Sequence, residues 1–304
     1  MFLKTYLRVI RWFLCAVLVW FLTDAVHIRT AAAQGLALCA TSVIPALFPF
    51  LVISRFLVAL GFATWVSPLF RNLMTPLFRL PGIAGSALFL GLIGGYPIGA
   101  QTAADLYRTG QLTKRETEGL LSFCNTSNPV FLISVLGIGV FGSIRCGVWL
   151  WLIHLLSALL TGILLRRKPT APCRPLPSSA TPPSNFSVCF VSAVRDSAIA
   201  MLNVCAFVVL FYVLVSPLQT LPPKACTVLT GMTELFSLLP HLKADRFSWI
   251  LASGCAGWGG LSVLAQTAAV LDCTGLSLRS CLLGKALQGI LAGLLAAVFS
   301  PYLF

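Results

Sequence analysis

Stretches of about 20 apolar residues recur along this chain, and a helix that crosses a bilayer needs about that length. Of the 304 residues, 58% are hydrophobic and 10% are charged, whereas soluble domains carry about 25% charged residues. The runs that could cross lie at 12–22, 36–57, 120–141, 146–165, 197–216 and 282–303. We therefore predict an all-α polytopic membrane protein with about six spanning helices, so the lipid bilayer is its first expected partner.

The basic excess of the chain fits membrane topology better than nucleic-acid binding. The sequence has 21 Lys and Arg against 8 Asp and Glu, a net charge of +13. Most of these basic residues flank apolar runs, as they do in the cytoplasmic loops of membrane proteins. Lys4, Arg8 and Arg11 place the N-terminus in the cytoplasm, and the basic cluster at 166–168 places the middle of the chain there. We predict a multi-pass cell-membrane protein with both termini cytoplasmic and no nucleic-acid partner.

A segment rich in proline and serine divides the chain into two halves. Residues 169–185 have the composition of a linker, which the neighbouring basic cluster assigns to the cytoplasm. The expected organisation is an N-terminal membrane anchor helix at 1–30, a first unit at 31–168, this linker, and a second unit at 186–304.

The two halves contain an internal repeat. Eight of the eleven residues at 100–110 are identical to those at 265–275, and the same offset of 165 aligns Gly94-Gly95 with Gly259-Gly260. The first unit begins after one crossing, and the second begins after a cytoplasmic linker. Homologous units that enter from opposite faces form an inverted-topology repeat, as in many secondary transporters.

Each unit contains an apolar stretch that glycine and proline interrupt. In the first unit the interruption is Gly-Gly-Tyr-Pro-Ile-Gly at 94–99, and its flanks, 83–93 and 100–110, would each form about 16 Å of helix, half of the hydrocarbon thickness. Gly254, Gly257, Gly259 and Gly260 interrupt the second stretch, 248–271. We predict two re-entrant helical hairpins; continuous kinked helices are the alternative. The expected breaks are Gly94, Gly95, Pro97, Gly99, Gly257, Gly259 and Gly260.

The candidate solute site consists of polar residues beside these two interruptions, of the Asn-Thr-Ser-Asn-Pro cluster at 125–129 inside another apolar run, and of the acid Glu234. Broken backbone is tolerated in a bilayer where it is buried in protein or lines a cavity, and an acid in such a place is a functional candidate. Helix capping, helix–helix hydrogen bonds and, for Glu234, an ion pair with Lys243 or Arg246 are the alternatives. The predicted substrate-binding residues are Gln101, Thr102, Asn125, Ser127, Asn128, Glu234, Gln266 and Thr267.

The sequence offers little support for an enzyme or a metal centre. It has three histidines and lacks HExxH and GxGD motifs, and its eleven cysteines include no CxxC pair. We interpret His154 as a packed core histidine, and Asn203 and Gln288 as helix–helix contacts. We expect no catalytic residue, no metal and no cofactor, while proton or cation coupling through Glu234 stays open.

Four motifs together resemble a known family. They are Pro45-Ala-Leu-Phe-Pro-Phe50, Pro81-Gly82, the 94–99 interruption and Leu121-Ser-Phe-Cys-Asn-Thr-Ser-Asn-Pro129. Over about residues 31–300 the chain resembles the sporulation integral membrane proteins (YlbJ type) of endospore-forming bacteria. That family is similar to the nucleoside recognition (Gate) domains of spore-maturation proteins, ferrous-iron permeases and concentrative nucleoside transporters.

The resemblance implies a function in endospore formation, in cortex or coat maturation. In the nucleoside transporters the first hairpin tip, Gly-Gln-Thr-Glu, helps to bind the nucleoside. Gln101 and Thr102 match that tip, but Ala103 replaces its acid, which argues against nucleoside chemistry and sodium coupling. We therefore expect a transporter-like or channel-like protein for a small polar solute. The alternative is a non-transporting scaffold component of a sporulation complex, as a homo-oligomer or with other sporulation membrane proteins.

Overall fold

A computed structural model of the protein describes residues 2–167 and 185–304, with side chains from residue 8 onward. Within these ranges the regular elements are all helices and no strand occurs, which confirms the all-α prediction. The predicted linker, except for Asn185, lies outside the described residues.

The helices alternate with short π-helical and 3₁₀ segments. Those of the first half are α1 (Phe2–Thr23), α2 (Ala25–Leu38), α3 (Ile44–Ala59), α4 (Phe62–Leu73), α5 (Ala84–Gly94), α6 (Ile98–Arg108), α7 (Lys114–Leu120) and α8 (Ile144–Leu164), with π-helical segments at Cys39–Val43, Met74–Phe78 and Val130–Val140. Those of the second half are α9 (Phe186–Val215), α10 (Pro223–Thr233), α11 (Arg246–Trp258), α12 (Gly260–Leu271) and α13 (Arg279–Phe299), with 3₁₀ turns at Ser216–Thr220, Leu239–His241 and Ser300–Tyr302.

Five helical stretches of the described chain are long and apolar enough to cross a bilayer, against about six expected. They are Ala25–Ala59, Ile144–Leu164, Phe186–Thr220, Arg246–Leu271 and Arg279–Tyr302. The predicted crossing at 120–141 is instead the end of α7, a non-helical stretch and the π-helical segment Val130–Val140. Pro129 and the polar residues before it account for this difference, because proline cannot continue the helical hydrogen-bond ladder.

The first interruption reverses the chain. Helix α5 ends at Gly94 and α6 begins at Ile98, and between them Gly95 has a φ of +81°, which glycine adopts without steric cost. A Cβ built on Gly91 would lie 3.0 Å from the Cα of Gly99. Residues eight positions apart would be about 12 Å apart along one straight helix, so α5 and α6 fold back against each other.

The second interruption has a different geometry. Gly259 and Gly260 both have φ values above +80° and separate α11 from α12. Helix α11 packs against α13 and α8, whereas α12 packs against α6 and α9, and both contact α10. Gly254 and Gly257 do not interrupt α11, which continues to Trp258. A Cβ on Gly257 would lie 2.8 Å from the Gln288 carbonyl oxygen of α13, so this glycine permits close helix packing.

Candidate functional site

The centre of the protein contains a non-helical stretch between α7 and Val130. Ser122–Asn128 are each 2% exposed or less. A Cβ on Gly91 or on Gly99 would lie 2.0 Å from the Cys124 carbonyl oxygen, and one on Gly284 would lie 1.8 Å from the Ser122 carbonyl oxygen. Glycines of α5, α6 and α13 thus leave the space that this backbone occupies. We call residues 121–128 the unwound stretch.

Hydrogen bonds join the unwound stretch to two neighbouring helices, and one of them satisfies a buried backbone amide, as burial requires. The Ser127 amide donates to His154 Nε2 at 2.9 Å, so His154 anchors the stretch to α8. The Thr126 hydroxyl donates to the Gly91 carbonyl oxygen at 2.9 Å. Because Nε2 accepts a hydrogen bond, Nδ1 of neutral His154 carries the ring hydrogen; it has no hydrogen-bond partner among the described residues.

The two asparagines of the unwound stretch have different partners. Asn125 Nδ2 donates to Thr267 Oγ1 of α12 at 2.9 Å, which joins the two predicted units directly. Asn128 Oδ1 accepts from the Phe131 amide at 2.7 Å and caps the following π-helical segment. Asn125 Oδ1 and Asn128 Nδ2 are buried without a hydrogen-bond partner in the described chain.

Lys285 of α13 lies against the unwound stretch. Its side chain is 1% exposed, and Nζ donates to the Asn125 carbonyl oxygen at 3.1 Å and to Gln288 Oε1 at 3.2 Å. Nζ also lies 5.0 Å from the centre of the Tyr96 ring, within the range of a cation–π contact. Lys285 is not among the residues predicted from the sequence, although a lysine inside an apolar run is itself a signal of function.

Gln288 connects Lys285 to His154. Its Nε2 lies 3.4 Å from His154 Nε2 while its Oε1 accepts from Lys285, so α8, α13 and the unwound stretch share one buried polar network. The amide of Gln288 therefore makes the interhelical contact that its position in the sequence predicts.

A separate cavity of about 330 Å³ lies between α3, α6, α9 and α12. Gln101 of α6 and Gln266 of α12, which the repeat makes equivalent, both line it. Its charged lining residues carry both signs: Arg55, Asp105, Arg108 and Asp196. Arg55 Nη2 donates to Gln101 Oε1 at 2.9 Å, and Arg108 Nη1 lies 3.0 Å from Asp105 Oδ1.

The eight predicted residues are thus divided among four places. Gln101 and Gln266 line the cavity, and Thr102 lines a neighbouring cavity of about 240 Å³ that also contains Arg55 and Gln101. Those at or against the unwound stretch are Asn125, Ser127, Asn128 and Thr267.

Glu234 is the eighth of these residues, and it lines neither cavity. It is 2% exposed, and its carboxylate accepts a hydrogen bond from the Ser237 amide in the turn that follows α10. In the described chain it forms no ion pair with Lys243 or Arg246, so the paired alternative does not occur. Among the described residues, no three His, Cys, Asp or Glu side chains form a group able to hold a metal ion.

Comparison with known proteins agrees with the four motifs. Residues 40–144 match the family described as Gate, nucleoside recognition. The chain is 28% identical over 306 residues to the sporulation integral membrane protein YlbJ of Bacillus subtilis (strain 168), covering 86% of this chain and 75% of the relative. The predicted family resemblance is confirmed. No solved structure matches the chain, and neither matching description names an enzyme activity.

In this multi-pass membrane protein, residues 40–144, which match the Gate family and which we call the Gate-matched segment, contact the second half of the chain at the buried network. The Gate-matched segment supplies the α5–α6 hairpin, Gln101 and the unwound stretch. Residues outside that segment complete the surroundings: His154, Gln266, Thr267, Lys285 and Gln288.

Proposed function

We propose that the protein provides a path across the membrane for a small polar solute during endospore formation. The observation that carries this proposal is that Gln101 and Gln266 line one cavity of about 330 Å³. Pockets for small ligands have volumes of about 300–1,000 Å³ and combine apolar walls with a few polar groups. Two equivalent amide side chains, one from each repeated unit, line the same cavity. This arrangement favours a solute site over helix capping as their role.

The helix positions support the proposed duplication. With the offset of 165, α5 would correspond to 249–259 and α6 to 263–273, and α11 and α12 occupy Arg246–Trp258 and Gly260–Leu271. The same offset relates the first residue of α7, Lys114, to the first residue of α13, Arg279. In our proposal these units are inverted in the bilayer, the α5–α6 hairpin is re-entrant, and both termini are cytoplasmic.

The charges of the cavity indicate what kind of solute would fit. Two arginines and two aspartates balance each other, and the amides of Gln101 and Gln266 provide donors and acceptors. A neutral polar or zwitterionic solute would find partners there without leaving an excess charge. The similarity to the sporulation integral membrane protein of Bacillus subtilis is the basis for placing this activity in sporulation, and cortex or coat maturation is the stage we propose.

A ligand screen tests the solute site. Purified protein would be heated with nucleosides, dipicolinate, amino sugars and divalent metal ions, and a compound that raises the melting temperature would then be measured for uptake into proteoliposomes. We expect Gln101→Ala and Gln266→Ala each to weaken binding about tenfold, because each removes a hydrogen bond worth about 1.4 kcal/mol. Gln219→Ala, which changes an exposed amide outside the cavity, is the matched control and should bind normally.

The same variants separate transport from the scaffold alternative. Unchanged binding and uptake in the Gln101→Ala, Gln266→Ala double variant would contradict the proposed site. A protein that binds none of the compounds, while co-purification with sporulation membrane proteins survives both substitutions, would favour the non-transporting scaffold.

A further inference from the structure

The hydrogen-bond acceptors of Lys285 are neutral oxygen atoms, and an aromatic ring lies near its ammonium group. Its two hydrogen-bond acceptors are a backbone carbonyl and a side-chain amide, and no acidic side chain of the described residues forms an ion pair with it. A buried charge is costly unless its surroundings compensate for the lost water. Here compensation comes from dipoles and from the π face of Tyr96, which are also the groups that surround bound monovalent cations.

The position of the ammonium group is the second observation. Nζ bonds the Asn125 carbonyl of the unwound stretch and faces Tyr96, which belongs to the first interruption. At the second interruption, a Cβ on Gly259 would lie 3.3 Å from Lys285 Cε. The Lys285 side chain therefore contacts both helix interruptions and the unwound backbone.

Unwound carbonyls at such junctions coordinate Na⁺ in membrane transporters built from broken helices. An ammonium group carries the same single charge and donates hydrogen bonds to the same oxygens. We propose that Lys285 occupies an internal monovalent-cation site, as a covalently attached substitute for a bound Na⁺ or K⁺, and holds both interruptions on the unwound stretch. This inference is independent of the proposed solute path, because it concerns the folded state alone.

Removing the side chain should turn the site into one for a free cation. We expect Lys285→Ala to lower the melting temperature in choline chloride by about 5 °C or more, since it leaves a cavity and unpaired acceptors. NH₄Cl, and to a smaller extent NaCl or KCl at equal ionic strength, should recover a large part of that loss. The wild type should melt at the same temperature in all four salts.

Two further variants make the test specific. Lys285→Met fills the space without a charge, so it should be destabilised and gain nothing from small cations. Lys224→Ala removes an exposed lysine whose Nζ lies 5.9 Å from the Phe247 ring centre, and it should show no dependence on the cation.

Two results would overturn the proposal. One is a wild-type melting temperature that is higher in NaCl or KCl than in choline chloride. The other is a Lys285→Ala variant that NH₄Cl does not stabilise, and failure to obtain folded Lys285→Ala protein when it is extracted in NH₄Cl counts as that result. Both melting experiments contain no transported solute, so neither result bears on the proposed solute path.

Discussion

Polar side chains at the centre of this protein form hydrogen bonds with backbone groups as well as with each other. His154 is the best example, because its Nε2 accepts the Ser127 amide of the unwound stretch at 2.9 Å. The sequence predicts a packed histidine there, and the side chain is indeed buried. His154 does more than fill space, however, because its hydrogen bond holds the backbone at Ser127, next to Asn128.

A substitution at His154 distinguishes packing from hydrogen bonding. His154→Leu keeps the bulk and leaves the Ser127 amide without an acceptor, so it should lower the free energy of unfolding by about 1–3 kcal/mol. His154→Gln offers an amide oxygen near the position of Nε2 and should lose less than half of that amount. Thermal unfolding in detergent measures both variants, and equal losses would show that the bond to Ser127 contributes nothing.

At the scale of elements, the unwound stretch depends on glycines from three helices. An added Cβ would lie 2.0 Å or less from a carbonyl oxygen of this stretch at each of three glycines, Gly91, Gly99 and Gly284. The backbone of the unwound stretch therefore could not lie there with any larger residue at these positions unless a helix moved. These glycines thus leave room for the break in the apolar run 120–141 that Pro129 favours locally.

Two glycines of the same helix provide a matched test of this packing. Gly284→Ala places a Cβ 1.8 Å from the Ser122 carbonyl oxygen and should destabilise the protein by about 1–3 kcal/mol through overpacking. Gly293→Ala, also in α13, meets nothing closer than 3.8 Å and should be neutral or stabilising by up to about 1 kcal/mol, since alanine favours helix. Melting temperatures check both, and a Gly284→Ala protein as stable as Gly293→Ala would refute the proposed packing.

The sequence predicts local features of these elements better than their partners. The runs 146–165 and 282–303 lie within two or three residues of α8 and of Arg279–Tyr302, and the first interruption falls within the predicted 94–99. It is shorter than predicted, because α6 begins at Ile98 and includes Gly99. Hydrophobicity and glycine or proline content determine those features locally. The roles of Lys285 and Gly257 could not be predicted in this way, because they depend on contacts with residues far along the chain. Lys285, for example, contacts Asn125.

At the scale of the whole molecule, the two predicted units share one interior. Asn125 bonds Thr267, Lys285 bonds the Asn125 carbonyl, and the Tyr96 hydroxyl donates to the Ala256 carbonyl oxygen at 3.0 Å. Each of these bonds is buried, so separating the units would leave polar groups of both without partners in an apolar surrounding. The units are therefore expected to be stable together and unstable apart.

Splitting the chain between α8 and α9 tests this dependence. We expect residues 1–176 and 177–304, expressed in the same cells with a tag on one fragment, to co-purify as a folded complex, while each fragment alone aggregates in detergent. Gly284→Leu in the second fragment should reduce co-purification, because the larger side chain displaces the Ser122 backbone, whereas Gly293→Ala should not. Size-exclusion chromatography measures the outcome. Two fragments that are each monodisperse alone and do not associate would contradict a shared interior and would favour two independent units.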